Sequence, residues 1–126
     1  MKRIMAIIRM QMMNQTRQAL IEQGFSGFTV RKVLGRGKGQ VDFRVLSAAV
    51  EGQPEAIPHL QDDGPMLVPK RLISIVVPTE KADIVVQTII KTNRTGRPGD
   101  GKIFVQPVLE ALRIRTGERN ESALKE

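Results

Sequence analysis

The sequence has no cysteine, no tryptophan and no tyrosine among its 126 residues, and it has only four phenylalanines. The absence of cysteine excludes disulfides and thiolate metal sites and favours a reducing compartment, so we expect a cytoplasmic protein. No apolar run approaches the roughly 20 residues of a membrane-spanning helix, so we predict no membrane span. The length predicts a single domain over residues 1–126.

The charge is unbalanced, with 20 Lys and Arg residues against 13 Asp and Glu residues and a net charge of +7. Such a balance invites a nucleic-acid interpretation. Proteins that bind single-stranded nucleic acids combine basic side chains with aromatic rings for base stacking, and such rings are scarce here. We therefore favour no nucleic-acid partner and keep a basic RNA-binding module as a remote alternative.

Four segments have the composition of β-strands, and they cover residues 4–8, 28–34, 71–77 and 103–106. Two helices are predicted between them. The first runs from an N-cap at Asn14 to Gln23 and is ended by Gly24. The second is capped by Thr79 and has a buried stripe at helical spacing, made of Ala82, Val85, Val86, Ile89 and Ile90.

The order βαββαβ, followed by a short extended piece at 112–116, predicts an α+β protein of the ferredoxin-like class. This fold is an antiparallel four-stranded sheet with two helices on one face. Pro107 indicates an edge strand or a strand end. The other sheet face would leave apolar side chains uncovered, so we expect an oligomer. Residues 118–126 are expected to form a charged, mobile tail.

The glycine-rich segment Gly96–Lys102 matches the first part of a P-loop, Gly-x-x-x-x-Gly-Lys. A P-loop continues with Ser or Thr and a helix, whereas Ile103 begins a predicted strand, so we reject an NTPase. Glycines still allow successive backbone N–H groups to face an anion, and Lys102 adds a positive charge. A plain turn between helix and strand explains this segment alone equally well.

Arg113 and Arg115 provide a second anion-binding element. On a strand, residues two apart point to the same face, so both guanidinium groups could reach one phosphate. Together with the glycine segment, they favour a phosphate site within Thr95–Gly117 over a pair of solvated arginines. Catalytic residues are not evident, because His59 stands alone and Asp100 has no apparent partner, so we predict no enzyme.

Residues 35–69 have no sustained period, and glycine, proline and acidic residues recur in them. A connection of this length in a small domain is typically functional or disordered. It begins with a basic glycine-spaced run, Gly35-Arg36-Gly37-Lys38-Gly39-Gln40. Lys70 stands where the segment rejoins the core, so its amine could face the same cleft and bind a small carboxylate.

Several motifs occur in order along the chain: Thr29-Val30, Gly35-x-Gly37, Ile75-Val76-Val77-Pro78, Thr95-Gly96, Gly99-Asp100-Gly101-Lys102-Ile103-Phe104-Val105 and Arg113-Ile114-Arg115-Thr116-Gly117-Glu118. With these motifs the sequence resembles the PII nitrogen-regulatory family. The resemblance implies a homotrimer of ferredoxin-like subunits that bind ATP or ADP in the clefts between them. It also implies signal transduction through residues 35–69, which correspond to the T-loop of the family.

The resemblance assigns binding roles residue by residue. Nucleotide contacts are implied for Thr29, Gly35, Gly37, Lys38, Thr95, Gly99, Asp100, Gly101, Lys102, Arg113 and Arg115. Contacts with 2-oxoglutarate are implied for Gly37, Gly39, Gln40, Lys70 and Gly99. Family members have a glutamine that helps to hold Mg²⁺ at the position of Gly39, and here Gln40 follows instead. The role of Mg²⁺ therefore stays open, and no metal ligand is assigned.

Two departures narrow the resemblance. Without tyrosine, modification of a T-loop tyrosine is excluded, and residues 35–69 are longer than the usual T-loop. Their opening, Gly35–Arg44, resembles the branch encoded with nitrogenase genes, in particular the second of its two PII-like proteins. This implies control of nitrogenase, as a homotrimer or as a hetero-oligomer with a PII-like paralogue. The alternative is a PII protein that acts on an ammonium transporter or a nitrogen-assimilation enzyme.

Overall fold

The computed structural model describes residues 1–36 and 67–125. In these ranges the strands are β1 Lys2–Arg9, β2 Phe28–Gly35, β3 Val68–Val77 and β4 Lys102–Pro107. The α-helices are α1 Met13–Glu22, α2 Ala82–Asn93 and α3 Glu121–Leu124. None of the helices in the described ranges has both the length and the apolar character that crossing a membrane requires.

The strands form one antiparallel sheet in the order β2-β3-β1-β4. In this order β1 is central, and its Ile4 lies opposite Ile75 of β3 and Val105 of β4. The order and the two flanking helices confirm the predicted ferredoxin-like fold. β4 is an edge strand that ends at Pro107, as predicted, because proline cannot donate a ladder hydrogen bond.

The core lies between the sheet and helices α1 and α2. Alternate strand residues are buried because successive side chains point to opposite faces of a strand. The buried apolar residues are Ile4, Ala6, Ile8, Leu20, Ile73, Ile75, Val77, Val85 and Ile89. Val85 and Ile89 belong to the stripe predicted for α2, and Ala82 and Val86 pack against the same cluster. The two helices therefore cover one face of the sheet.

The described residues leave the opposite face of the sheet uncovered. By strand alternation it carries apolar side chains, among them Met5, Ile7, Leu72, Val76 and Phe104. None of these is fully buried, and Phe104 is 45% exposed. An uncovered apolar face of this kind is the feature on which the prediction of an oligomer rests.

Both helix starts differ from the predictions made for Asn14 and Thr79. The 3₁₀ turn Met10–Met12 precedes α1, so Asn14 lies within the helix and no side chain caps it. Thr79 begins the 3₁₀ turn Thr79–Lys81, and its hydroxyl accepts a hydrogen bond from the Met1 ammonium at 3.0 Å. In both places the backbone bonds of the 3₁₀ turn satisfy an early amide without a side-chain cap.

The predicted extended piece at 112–116 is wrong. Leu112 makes an isolated antiparallel bridge to Arg119, and residues 114–116 form a turn. The chain folds back because the Gly117 N–H donates to the Arg113 carbonyl at 2.7 Å. Helix α3 then follows, where the sequence had predicted a mobile tail.

Candidate ligand-binding site

The loop between α2 and β4 is organised around the carboxylate of Asp100. Its Oδ2 accepts hydrogen bonds from the backbone N–H of Thr95 at 2.8 Å and of Gly96 at 3.0 Å. Its Oδ1 accepts from the Thr95 hydroxyl and from Arg9 Nη1, the latter at 2.8 Å. From the sequence, the backbone N–H groups of this loop were expected to be available to a phosphate. In the structure, those of Thr95 and Gly96 bind the protein's own Asp100 carboxylate instead. The expectation that Asp100 lacks a partner is wrong.

The hydrogen bonds keep this carboxylate ionised. The hydroxyl of Thr95 makes the largest contribution and lowers the pKa of Asp100 well below its usual range. Desolvation acts in the opposite direction, while the backbone N–H groups of Thr95 and Gly96 and the Arg9 side chain lower the pKa further. Asp100 is thus a charged structural centre at neutral and mildly acidic pH.

Two glycines bring the loop close to the end of β1. Gly101 has a φ of +115°, and an added Cβ would lie 2.1 Å from the carbonyl oxygen of Ile7. Gly99 has a φ of +98°, and a Cβ there would lie 3.2 Å from Arg9 Nη2. A side chain at Gly101 would displace backbone, so glycine is required for this approach.

Lys70 connects the loop with the start of the long segment. Its Nζ donates to the Gly99 carbonyl at 3.4 Å, and its register partner in β1 is Arg9. On the other side, an added Cβ at Gly35 would lie 3.7 Å from Lys70 Cγ. Gly35, Lys70 and Gly99 are therefore neighbours at one end of the sheet.

The surroundings of Lys70 carry more positive than negative charge. Burial lowers the pKa of the Lys70 amine, the adjacent Arg9 lowers it further, and Asp100 opposes both. Arg9 also donates to the Pro98 carbonyl at 3.0 Å, so it is fixed between Pro98 and Asp100. Two cations and one carboxylate therefore meet at this end of the sheet, an arrangement that favours an anionic ligand.

Thr29 and Lys102 occupy opposite edges of the sheet. Thr29 pairs with Ser74 in the β2–β3 ladder, and Lys102 pairs with Ile7 in the β1–β4 ladder. Three strand spacings separate the two edges, a distance of about 14 Å. Both residues lie at positions of the uncovered face, but the structure does not bring them together in one chain.

Arg113 and Arg115 lie in the loop 113–118 and not on a strand, so the prediction that they share a strand face is wrong. The Arg113 guanidinium donates to Glu118 Oε1 at 2.8 Å and to the Ser122 carbonyl at 3.1 Å. Arg115 is exposed, and no hydrogen bond or ion pair joins it to another residue in the described ranges. The two arginines therefore differ, since Arg113 is engaged within the chain and Arg115 is open to a ligand.

Some predicted site residues lie outside the described residues, namely Gly37, Lys38, Gly39 and Gln40. Arg9 was missed by sequence reasoning. Its signal was topological, because the ferredoxin-like order places the end of β1 beside both β3 and the loop before β4. Within residues 1–36 and 67–125, no group of three or more His, Cys, Asp and Glu side chains is placed to hold a metal ion.

Comparison with known proteins identifies the family. The sequence profile described as "Nitrogen regulatory protein P-II" matches residues 1–118. The chain is 42% identical over 125 residues to the "Nitrogen fixation nifHD region GlnB-like protein 2" of Methanobacterium ivanovii, with 98% of this chain and 99% of that protein covered. It is 42% identical over 130 residues to the "Nitrogen fixation nifHD1 region GlnB-like protein 2" of Methanosarcina barkeri, with 99% and 100% covered.

A further relative carries the general family description. The "Nitrogen regulatory protein P-II 1" of Escherichia coli (strain K12) is 40% identical over 124 residues, with 98% of this chain and 100% of that protein covered. These similarities extend over nearly the whole length of each protein, and they confirm the resemblance found in the motifs. The chain belongs to the nitrogen regulatory protein P-II family.

Proposed function

We propose that this chain is a cytoplasmic sensor that binds ATP or ADP together with 2-oxoglutarate and controls a protein partner through residues 35–69. Membership of a family of nitrogen regulatory proteins supports a regulator and not an enzyme. The observation that carries the proposal is the position of Lys70. Its side chain contacts Gly99 of the glycine loop, which is the connection 94–101 between α2 and β4, and it adjoins Gly35, where the long segment 35–69 leaves β2.

In this proposal, side chains rather than backbone N–H groups bind most of the phosphate oxygens of the nucleotide. Asp100 already occupies the amides of Thr95 and Gly96, so this part of the loop has a positioning role. The close approach of Gly101 to β1 allows β4 to begin directly at Lys102. Lys102 and the exposed Arg115 then supply the positive charge for the phosphates.

The nucleotide lies between two copies in this proposal. Thr29 and Gly35 belong to the β2 edge, whereas Lys102 lies on β4 at the other edge and Arg115 follows it in the chain. A ligand that contacts both sets is most simply held where the β2 edge of one copy meets the β4 side of another. The uncovered apolar face supports such an assembly. We propose a homotrimer or a hetero-oligomer with a PII-like paralogue.

The end of the sheet around Lys70 is the proposed 2-oxoglutarate site. Arg9 and Lys70 provide two positive groups for a dicarboxylate, and Asp100 neutralises only one of them. Gly37, Gly39 and Gln40 complete the proposed site, and they lie outside the described residues. Because Gly35 adjoins Lys70, a ligand bound there would bias the conformation of the segment that begins at Gly35.

The described residues do not fit a magnesium ion at this place. Asp100 is the carboxylate of the glycine loop, and its oxygens are engaged by Thr95, Gly96 and Arg9. A magnesium ion is usually held by one or two carboxylates together with water and ligand phosphates, and the described residues of this loop offer no free carboxylate. No step of the proposed function therefore depends on Mg²⁺.

The proposed partner is nitrogenase, because two of the relatives are described by a nitrogen-fixation nifHD region. The second candidate is control of an ammonium transporter or a nitrogen-assimilation enzyme, which the similarity to a general P-II protein favours. Affinity capture of the tagged full chain from nitrogen-fixing cells separates the two. Recovery of nitrogenase supports the first, and recovery of a transporter without nitrogenase overturns it.

Titration calorimetry with ATP and ADP tests the nucleotide site. We expect binding by the wild-type protein and a loss of about 10-fold or more in Lys102→Ala, because a charge-assisted contact is removed. Lys91→Ala removes an equal charge from the exposed last turn of α2 and is the matched control. Absence of binding by the wild type, or equal affinity of Lys102→Ala and Lys91→Ala, would contradict the proposal.

A further inference from the structure

The arginine loop, defined here as residues 113–118, is closed on itself by its own hydrogen bonds. The backbone N–H of Arg113 donates to the Glu118 carbonyl at 2.9 Å, and that of Gly117 donates to the Arg113 carbonyl at 2.7 Å. The Glu118 N–H donates to the Thr116 hydroxyl at 3.2 Å. These bonds set the Glu118 carboxylate beside the Arg113 guanidinium, with Nη1 and Oε1 2.8 Å apart.

The Arg113–Glu118 pair neutralises one of the two arginines expected to hold phosphate. Arg113 also donates to the Ser122 carbonyl at 3.1 Å, so its side chain is fixed by two acceptors of the chain. Arg115 has neither kind of partner among the described residues. An anion that approaches this loop therefore meets one open guanidinium and one that already holds a carboxylate.

The same pair is open to exchange. The side chains of Arg113 and Glu118 are 21% and 45% exposed, and water screens their attraction. In exposed ion pairs of this kind, the attraction favours the paired over the separated arrangement by only about two- to fivefold. A phosphate group offers a guanidinium more negative charge and more acceptor oxygens than a carboxylate, so it can replace Glu118.

We propose that Glu118 is a competitor that occupies Arg113 until a phosphate-bearing ligand displaces it. The inference rests on the proposed nucleotide-binding function. When phosphate replaces Glu118, Arg113 contacts the ligand together with Arg115. Because the Arg113–Glu118 pair must break first, every such ligand binds less tightly than it would without the pair. Ligands with several phosphate charges overcome this competition more readily than ligands with one.

The variant that tests the competition is Glu118→Gln, which keeps the shape of the side chain and removes its charge. We expect calorimetry to show about three- to fivefold tighter ATP binding than in the wild type. Glu110→Gln is the matched control, because Glu110 pairs with Arg119 in the same region and the charge change is equal. We expect Glu110→Gln to change the affinity much less, and thermal unfolding verifies that both variants are folded.

A double-mutant cycle shows whether the effect passes through Arg113. In an Arg113→Ala background, Glu118→Gln should no longer tighten ATP binding beyond the effect of Glu110→Gln in that background. A gain that survives there would overturn the exchange.

The outcomes for the two proposals are distinct. If the wild type binds ATP and Glu118→Gln binds no more tightly than Glu110→Gln, the competition is overturned and the nucleotide site stands. If neither the wild type nor any of these variants binds ATP, the proposed function is overturned and the competition with it. Binding that becomes measurable only in Glu118→Gln would support the competition and contradict nucleotide binding as a function of the wild type.

Discussion

Two arginine–carboxylate pairs of this protein have the same nitrogen–oxygen distance of 2.8 Å. Arg9 at the end of β1 pairs with Asp100 of the glycine loop, and Arg113 pairs with Glu118 within the arginine loop. Asp100 also accepts hydrogen bonds from Thr95 and Gly96. Among the described residues, the hydrogen-bond donor to the Glu118 carboxylate is Arg113. The Arg9 side chain is 15% exposed against 21% for Arg113, and the Asp100 side chain is 25% exposed against 45% for Glu118.

The length of an ion pair therefore does not reveal its role. Additional hydrogen bonds and lower exposure make the Arg9–Asp100 pair a fixed part of the fold. Few additional partners and greater exposure make the Arg113–Glu118 pair replaceable. The proposed nucleotide sensor needs both properties, because one loop must hold its shape while the other exchanges partners with the ligand.

The largest expected effect concerns the shape of the glycine loop. Gly101→Ala would force a Cβ to within 2.1 Å of the Ile7 carbonyl oxygen, at a φ of +115°. We expect a loss of roughly 2–6 kcal/mol in the free energy of unfolding, from backbone strain and overpacking together. Gly96→Ala is the control, because its φ is +83° and an added Cβ meets nothing within 4 Å. We expect it to cost about 1–2 kcal/mol, and chemical denaturation measures both. Equal costs would mean that the loop is not held against β1.

The next effect concerns the carboxylate of Asp100. Asp100→Asn places an amide NH₂ among hydrogen-bond donors, so we expect a loss of about 1–3 kcal/mol in the free energy of unfolding at neutral pH. Asp83→Asn, in the exposed first turn of α2, is the control and should cost less.

The cost of Asp100→Asn should also depend on pH. The pKa of Asp100 is lower in the folded protein than in the unfolded chain, so its stabilising contribution is complete above an unfolded value of about 3.9. It is lost as the pH falls from there towards the folded pKa. Urea unfolding from pH 7 to pH 2.5 should therefore show the difference between wild type and variant shrinking below about pH 4. A difference that stays constant would contradict an ionised Asp100.

A smaller effect is expected when the planar guanidinium group of Arg9 is replaced by the ammonium group of lysine. Arg9→Lys keeps the charge but loses the planar guanidinium that contacts Asp100 and the Pro98 carbonyl at once. We expect about 1 kcal/mol less stability, together with weaker ATP binding as the loop loosens. Arg17→Lys, an exposed change on α1, is the control, and both proteins are compared by thermal unfolding and calorimetry. An Arg9→Lys protein that matched Arg17→Lys in both measurements would remove the distinction between the two loops.

The smallest effect on stability is expected for Glu118→Gln. Because the pair is exposed, its loss should change the free energy of unfolding by less than about 1 kcal/mol. Chemical denaturation of the variant beside Asp100→Asn compares the two pairs directly. A cost for Glu118→Gln as large as that for Asp100→Asn would show that the arginine loop is as fixed as the glycine loop.

The sequence predicted the fold well because the fold depends on local patterns. The alternation of Ile4, Ala6 and Ile8 and the spacing of Val85 and Ile89 record which faces are buried. The alternation of Arg113 and Arg115 was misleading, since the turn that ends at Gly117 reverses the chain before a strand can form. Helix starts were misplaced at Asn14 and Thr79 because 3₁₀ turns need no side-chain cap.

The candidate site was only partly predictable. Its glycines and basic residues stood out in the sequence, but the partners that fix them did not. The bond between Arg9 and Asp100 joins residues 91 positions apart, and it exists only because β1 pairs with β4. The occupation of the loop amides by Asp100 likewise follows from the folded loop and from no motif.

The most direct measurement is an ATP titration followed through the ¹⁵N signals of the arginine side chains by NMR. The Arg9→Lys and Arg113→Lys variants assign the two guanidinium groups. We predict that the Arg113 signals move as ATP binds, because the group changes its partner from Glu118 to phosphate, while the Arg9 signals stay in place. Arg113 signals that remain unchanged at saturating ATP, or Arg9 signals that move as far as those of Arg113, would contradict the division between a fixed and an exchangeable ion pair.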